Sequence, residues 1–186
     1  IQSFQQTYKG HETSPGVPLY TEPTTAQSVG KGRGTVEEVY TQINADLTEA
    51  ITLFSASKDV QTHKSHIDYY IANGIKAKVA LVQNKWTEAA SLATEALKKP
   101  GLAMVTSDTE LYSGFNSRNM TSVMWGSEVI ADQATAYASF FSHMDASATG
   151  MYAASSRKCI YNWLYDQIPA TDKRKKWWNG KTTGTS

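Results

Sequence analysis

A single cysteine, Cys159, in a chain of 186 residues excludes an internal disulfide framework. That fits cytoplasm and fits equally a secreted protein that does without disulfides. Long apolar runs are missing too: no stretch approaches the roughly 20 residues of a membrane-spanning helix. Charge of one sign is not in excess. Eighteen Lys and Arg stand against seventeen Asp and Glu, for a net charge of +1, so no global field steers the chain toward nucleic acid or acidic membranes. No Gly-rich phosphate loop, G-x-S-x-G elbow or H-E-x-x-H occurs. The chain starts at Ile1 without an initiator methionine, signal peptide or lipid-attachment cysteine, and reads as a mature product or a fragment.

Carboxylates are available for acid–base chemistry at Glu128, Asp132, Asp145 and Asp166. Nothing in their spacing sets two of them across a cleft, as hydrolysis of a glycoside would need. "HKSH" (63–66) puts two imidazoles three apart beside Asp68, with no cysteine or further histidine nearby to complete a zinc site. Lys173, Arg174, Lys175 and Lys176 precede Trp177 and Trp178. That pairing of cations with rings resembles a single-strand nucleic-acid patch, but four cations in a nearly neutral chain read better as a solvated face. Neither nucleic-acid binding nor catalysis is expected.

Aromatic residues are plentiful: ten Tyr, five Trp and five Phe. Tyr and Trp join an apolar body to a polar tip and suit half-wet surfaces. Helical patterning is also clear. Residues 1–34, punctuated by Pro and Gly, read as an extended lead-in. Thr35 followed by Glu38 is a capping box, and Val36, Val39, Tyr40, Ile43, Leu47, Ile51 and Phe54 recur at spacings of three and four.

A second start signal, Ser65 with Asp68, opens a helix bearing Tyr70, Ile71, Gly74, Ile75, Val79 and Val82. Gly74 inside it costs roughly 1 kcal/mol against Ala, which predicts close approach of a neighbouring helix. "QNKW" (83–86) turns the chain into an alanine-rich third helix, stopped by Pro100-Gly101. The expected helices are about 35–54, 66–83, 86–98 and 156–168. A lone strand is expected at 122–130, irregular loops over 116–155 and a flexible tail over 179–186. The fold class is mainly α: a tetratricopeptide-like helical hairpin scaffold with long irregular loops and at most one or two short strands.

"GVPLYTEP" (16–23), "RGTVEEVYTQINADLTEAITLF" (33–54), "ANGIKAKVALVQNKWTEAASLATEAL" (72–97), "SVMWGSEVI" (122–130) and Asp172-x-Arg174 follow one another in an order that resembles the SusD/RagB family. These are the surface glycan-binding lipoproteins of Bacteroidetes. One departure is Ala72-Asn-Gly-Ile-Lys-Ala-Lys, where that family usually places Ala-Ala-x-x-Leu-Leu-Ala.

The resemblance implies an internal portion of a longer protein, lipid-anchored at the outer face of the outer membrane through an anchor absent from this chain. It implies non-catalytic capture of oligosaccharide or polysaccharide for a TonB-dependent SusC-like transporter. The alternative is a protein-interaction scaffold that docks the transporter without contacting sugar. No cofactor is expected, and structural Ca2+ is not indicated. A pyranose packs its C–H face on an aromatic and offers hydroxyls at its rim. Tyr137, Tyr152, Trp177 and Trp178, lying in irregular polar-flanked segments, are the candidate glycan-binding residues. Trp86 and Trp163 are assigned to packing between helices.

Overall fold

The structure, a computed structural model, describes residues 7–58, 60–113, 117–127, 130, 132 and 160–178. The chain divides into two compact units, Ile1–Leu102 and Ala103–Ser186, and it is mainly helical.

The first unit is built on three helices: α1 (Val36–Ser57), α2 (Tyr69–Val82) and α3 (Trp86–Ala96). The start of α1 follows from its sequence. Thr35 Oγ1 accepts from the Glu38 amide at 3.1 Å, and Glu38 Oε2 accepts from the Thr35 amide at 2.7 Å. A helix leaves its first amides without internal partners. Here the lead-in supplies them, because the amides of Val36 and Glu37 donate to the carbonyls of Ser14 and Glu12 at 2.9 Å each.

That segment also carries the sheet. Strand β1 (Pro15–Pro18) pairs antiparallel with β2 (Arg33–Thr35), with an irregularity in register between Pro15 and Pro18. The Arg33 side chain secures the pair by donating to the carbonyls of Gly16 (2.7 Å) and Pro15 (2.9 Å). The strand expected at 122–130 is not found among the described residues there. Val123 instead closes a turn by donating its amide to the Met120 carbonyl. Both strands fall in a stretch without periodic pattern, since three or four residues are too few to show a period of two.

The stripe expected on α1 faces inward: Val36, Val39 and Tyr40 are buried, and Ile43, Leu47, Ile51 and Phe54 are half-buried. Helix α2 packs on both α1 and α3. Its most buried residues are therefore Ile71, Ala72, Asn73, Ala77 and Ala80, and the three alanines let two neighbours approach. The amide of Asn44 on α1 bridges the Tyr40 carbonyl (2.8 Å) and Gln83 Oε1 at the end of α2 (2.9 Å). Tyr8 packs edge-on to Tyr40 with ring centres 4.9 Å apart and donates its hydroxyl to Glu37. That hydrogen bond, with burial, holds the Tyr8 phenol above its ordinary pKa.

Three further expectations need correction. The second helix begins three residues later than Ser65 suggested: Asp68 is itself the cap, its carboxylate accepting from the Ile71 amide at 3.0 Å. Residues 63–66 are used up in a turn, with the His66 amide on the His63 carbonyl and Ser65 Oγ 2.7 Å from His63 Nδ1. The last helix, expected over 156–168, spans Asn162–Gln167 among the described residues. Trp86 and Trp163, assigned to packing, are each 61% exposed. Trp86 opens α3 at the hairpin turn, and Trp163 sits in a helix of six residues with no buried side chain.

The two ends of the α2–α3 hairpin are closed by different chemistry. At the turn, Asn84 takes the left-handed conformation (φ 60). The Lys85 amide then reaches the Ala80 carbonyl (2.9 Å) and the Asn84 amide the Leu81 carbonyl (3.1 Å), which satisfies the orphan carbonyls of α2. At the open end, Asp68 meets Lys99 in a largely buried ion pair. Between them Gly74 faces Ala96: a Cβ built at Gly74 would lie 3.6 Å from the Ala96 Cβ, an ordinary contact. The approach is close, as expected, but leaves room for a methyl group. Gly74→Ala is accordingly expected to stabilise the first unit by about 0.5–1 kcal/mol, seen as a raised urea midpoint at unchanged slope.

Candidate functional site

The second unit gathers polar and aromatic side chains around a tight turn. Asp172 caps a short 3-10 helix, Lys173–Trp177, accepting from the Arg174 amide at 2.9 Å. Its carboxylate also takes the Arg174 guanidinium in a two-point fork, at 3.0 and 2.7 Å. The Arg174 hydrogen bonds hold the Asp172 carboxyl below the usual carboxylate range. The turn docks on α4 (Asp108–Leu111), itself capped by Ser107. Lys173 Nζ lies 2.5 Å from Asp108 Oδ1, the Tyr112 hydroxyl donates to the Lys173 carbonyl (3.1 Å), and Trp177 Nε1 donates to the Leu111 carbonyl (3.0 Å).

These contacts dispose of the patch as a row of loose cations. Lys175 Nζ donates to the Ile168 carbonyl at 2.7 Å and stands 4.8 Å from the centre of the Tyr165 ring. Lys176 Nζ stands 5.4 Å from the Tyr112 ring. Tyr165 belongs to α5 (Asn162–Gln167), which ends before Pro169.

Between α5, the turn and Asp108 lies a depression of about 540 Å3, lined by Tyr165, Thr171, Asp172, Lys173, Lys175 and Trp178 among others. Of the four expected sugar-binding residues, Trp178 lines it directly. Trp177 is adjacent, with ring centres 6.3 Å apart, but its indole N–H is committed to Leu111. Tyr137 and Tyr152 lie outside the described residues. Sequence reasoning missed Tyr165, Lys175 and Asp108 as neighbours of Trp178. The signal for the first two was the tight connection through Pro169, which returns the chain to within reach of Tyr165. Two other hollows lie among the described residues of the first unit. One, on α1 around Thr48 and Leu53, has no aromatic lining, and the other, in the lead-in, has only Tyr20.

The depression is ill suited to acid catalysis. Asp108 is paired with Lys173, and the Arg174 fork holds the Asp172 carboxyl below the usual carboxylate range, the opposite of what a general acid requires. Of the other candidate carboxylates, Asp132 and Asp166 are exposed, while Glu128 and Asp145 lie outside the described residues. Among the described residues no three His, Cys, Asp or Glu side chains converge as a metal site. His63 and His66 have ring centres 5.7 Å apart without a third ligand. No helix there is long and apolar enough to cross a membrane.

The arrangement offers two rings for apolar contact and several hydrogen-bonding groups at their edge. Comparison with known proteins gives it a setting. Residues 2–81 match a family described as SusD-like, "Starch-binding associating with outer membrane". No curated protein sequence matches the chain. A solved SusD-like carbohydrate binding protein from Bacteroides vulgatus is similar at 26% identity and TM-score 0.67, over 86% of this chain and 33% of that one. A SusD superfamily protein from Bacteroides thetaiotaomicron is 27% identical, with TM-score 0.47, over 56% of this chain and 22% of its own. The chain thus spans about a third of the length of the first of these relatives. Residues 2–81 of this chain thus match the SusD-like family in sequence, and most of the chain is similar in structure to a SusD-like carbohydrate binding protein.

Proposed function

We propose that this chain is part of a non-catalytic glycan-binding protein at the outer-membrane surface, lipid-anchored in its full length. It captures oligosaccharide or polysaccharide for a TonB-dependent SusC-like transporter. The observation that carries the reading is the pairing of Trp178 with Tyr165 around a polar-rimmed depression, in a chain similar to a carbohydrate binding protein. A sugar ring laid on Trp178 would cover its apolar face, while Thr171 and the charged rim meet hydroxyls. Binding of this kind breaks no bond and needs no acid–base pair.

The test is retention on immobilised polysaccharides, with the supernatant assayed for released reducing ends. Retention without release is expected. Trp178→Ala removes about 60 Å2 of ring contact, worth ~1.5 kcal/mol, so it should weaken retention about ten-fold. Released sugar would overturn the non-catalytic reading. A second reading, a scaffold that docks the transporter, draws on the exposed Leu81, Trp86 and Leu97 of the α2–α3 hairpin. It gains if Trp178→Ala leaves retention unchanged.

A further inference from the structure

We infer that the Trp178 depression selects anionic glycans, those whose sugars carry a carboxylate or a sulfate, over neutral ones. This deepens the glycan-binding reading and rests on it. The depression is lined by two carboxylates, Asp108 and Asp172, and three cations, Lys173, Lys175 and Lys176, with Arg174 held on Asp172. Geometry pairs them unequally. Asp108 takes Lys173 at 2.5 Å, and Asp172 is occupied by the Arg174 fork. Among the described residues, neither Lys175 nor Lys176 pairs with a carboxylate. Their ammonium groups lie against the rings of Tyr165 and Tyr112, and that of Lys175 also on a backbone carbonyl.

Among the described residues, two positive charges are therefore left without an anion beside the rings that would hold a sugar. The excess is local, because the whole chain carries only +1. An ammonium resting on a ring keeps N–H donors free for a ligand oxygen, and a stem held against a ring loses less freedom when the ligand arrives. A neutral pyranose offers hydroxyls that leave both charges uncompensated. A uronate or sulfated sugar on Trp178 brings its anion to the same rim, where charge-assisted hydrogen bonds are about twice as strong as neutral ones.

The experiment measures affinity of the full 186-residue chain for polygalacturonate, chondroitin sulfate, starch, xylan and single-stranded oligothymidylate. Titrations are run at about 50 and about 300 mM NaCl. At least one of the two acidic polysaccharides should bind about ten-fold or more tighter than either neutral one, and lose several-fold at the higher salt. Which one binds decides between carboxylate and sulfate. Lys175→Gln with Lys176→Gln should erase the preference but keep residual neutral binding, whereas Lys→Arg at both positions should keep the preference.

Equal affinity for acidic and neutral polymers would sink this inference and leave the glycan reading standing. No binding to any polysaccharide would remove both. Oligothymidylate binding as tight as polygalacturonate would also overturn it, since charge alone would then be recognised. Should the glutamine variant fail to fold, the salt dependence of the unaltered chain still decides: an affinity for acidic polymer indifferent to salt contradicts the inference.

Discussion

Asp68→Ala is expected to lower the stability of the first unit by about 3–5 kcal/mol, a large share of the 5–15 kcal/mol typical of a whole domain. Two losses combine. Asp68 is only 4% exposed, and one oxygen caps α2 by accepting from the Ile71 amide. Removing a cap costs about 1 kcal/mol. The other oxygen holds Lys99, whose side chain is 11% exposed and stands 5.8 Å from the Tyr70 ring. With Asp68 gone, that ammonium is left buried with a ring and no anion, and the stranded charge dominates the cost. A double variant separates the terms. Asp68→Asn keeps the cap and Lys99→Met removes the charge, so together they should recover most of the loss. Urea denaturation monitored by circular dichroism measures both. A loss near 1 kcal/mol for Asp68→Ala would mean that Lys99 finds water, and that only the cap had been removed.

The second large effect is expected at Gly16. A Cβ there would lie 2.8 Å from the Thr35 carbonyl oxygen, 3.0 Å from its carbon and 3.1 Å from the Gly34 oxygen. All three are backbone atoms and cannot swing aside, so β1 must move away from β2. The requirement for glycine is steric rather than conformational. Gly16→Ala should cost about 1–3 kcal/mol as overpacking, with the bonds from Arg33 to the Gly16 and Pro15 carbonyls weakened. The urea midpoint should fall, whereas Gly74→Ala raises it. A neutral Gly16→Ala would show that the sheet adds little to the stability of the helices.

The legible parts of this fold are those written over many residues. The stripe on α1, the Thr35–Glu38 box and the turn at QNKW (83–86) all come from local rules that no distant contact contradicts. Two cap-type residues three apart, Ser65 and Asp68, could be told apart only by the turn that consumes His63 to His66. The burial of Ala72 and Asn73 was hidden because a helix packed on two sides has no single face. Trp86 and Trp163 were misassigned because ring size says how much area a side chain could bury and not where it points. At the candidate site Trp178 could be picked by type. Its companions could not, since the contacts from α4 to the 3-10 turn join residues more than sixty positions apart.

The carbonyls of Ser14 and Glu12 that complete the start of α1 have a consequence for the order of folding. The three helices follow one another along the chain, across the connections 58–68 and 83–85, and contacts so local form early. The lead-in closes a loop of more than twenty residues before its carbonyls reach the Val36 and Glu37 amides, and that closure must wait for a helix to dock on. Helix α1 is therefore expected to form first with an open end, the segment carrying Gly16 arriving as a latch. The latch is expected to open at lower free energy than the bundle beneath it, read as weaker hydrogen-exchange protection of the Val36 and Glu37 amides than of the amides within the helices.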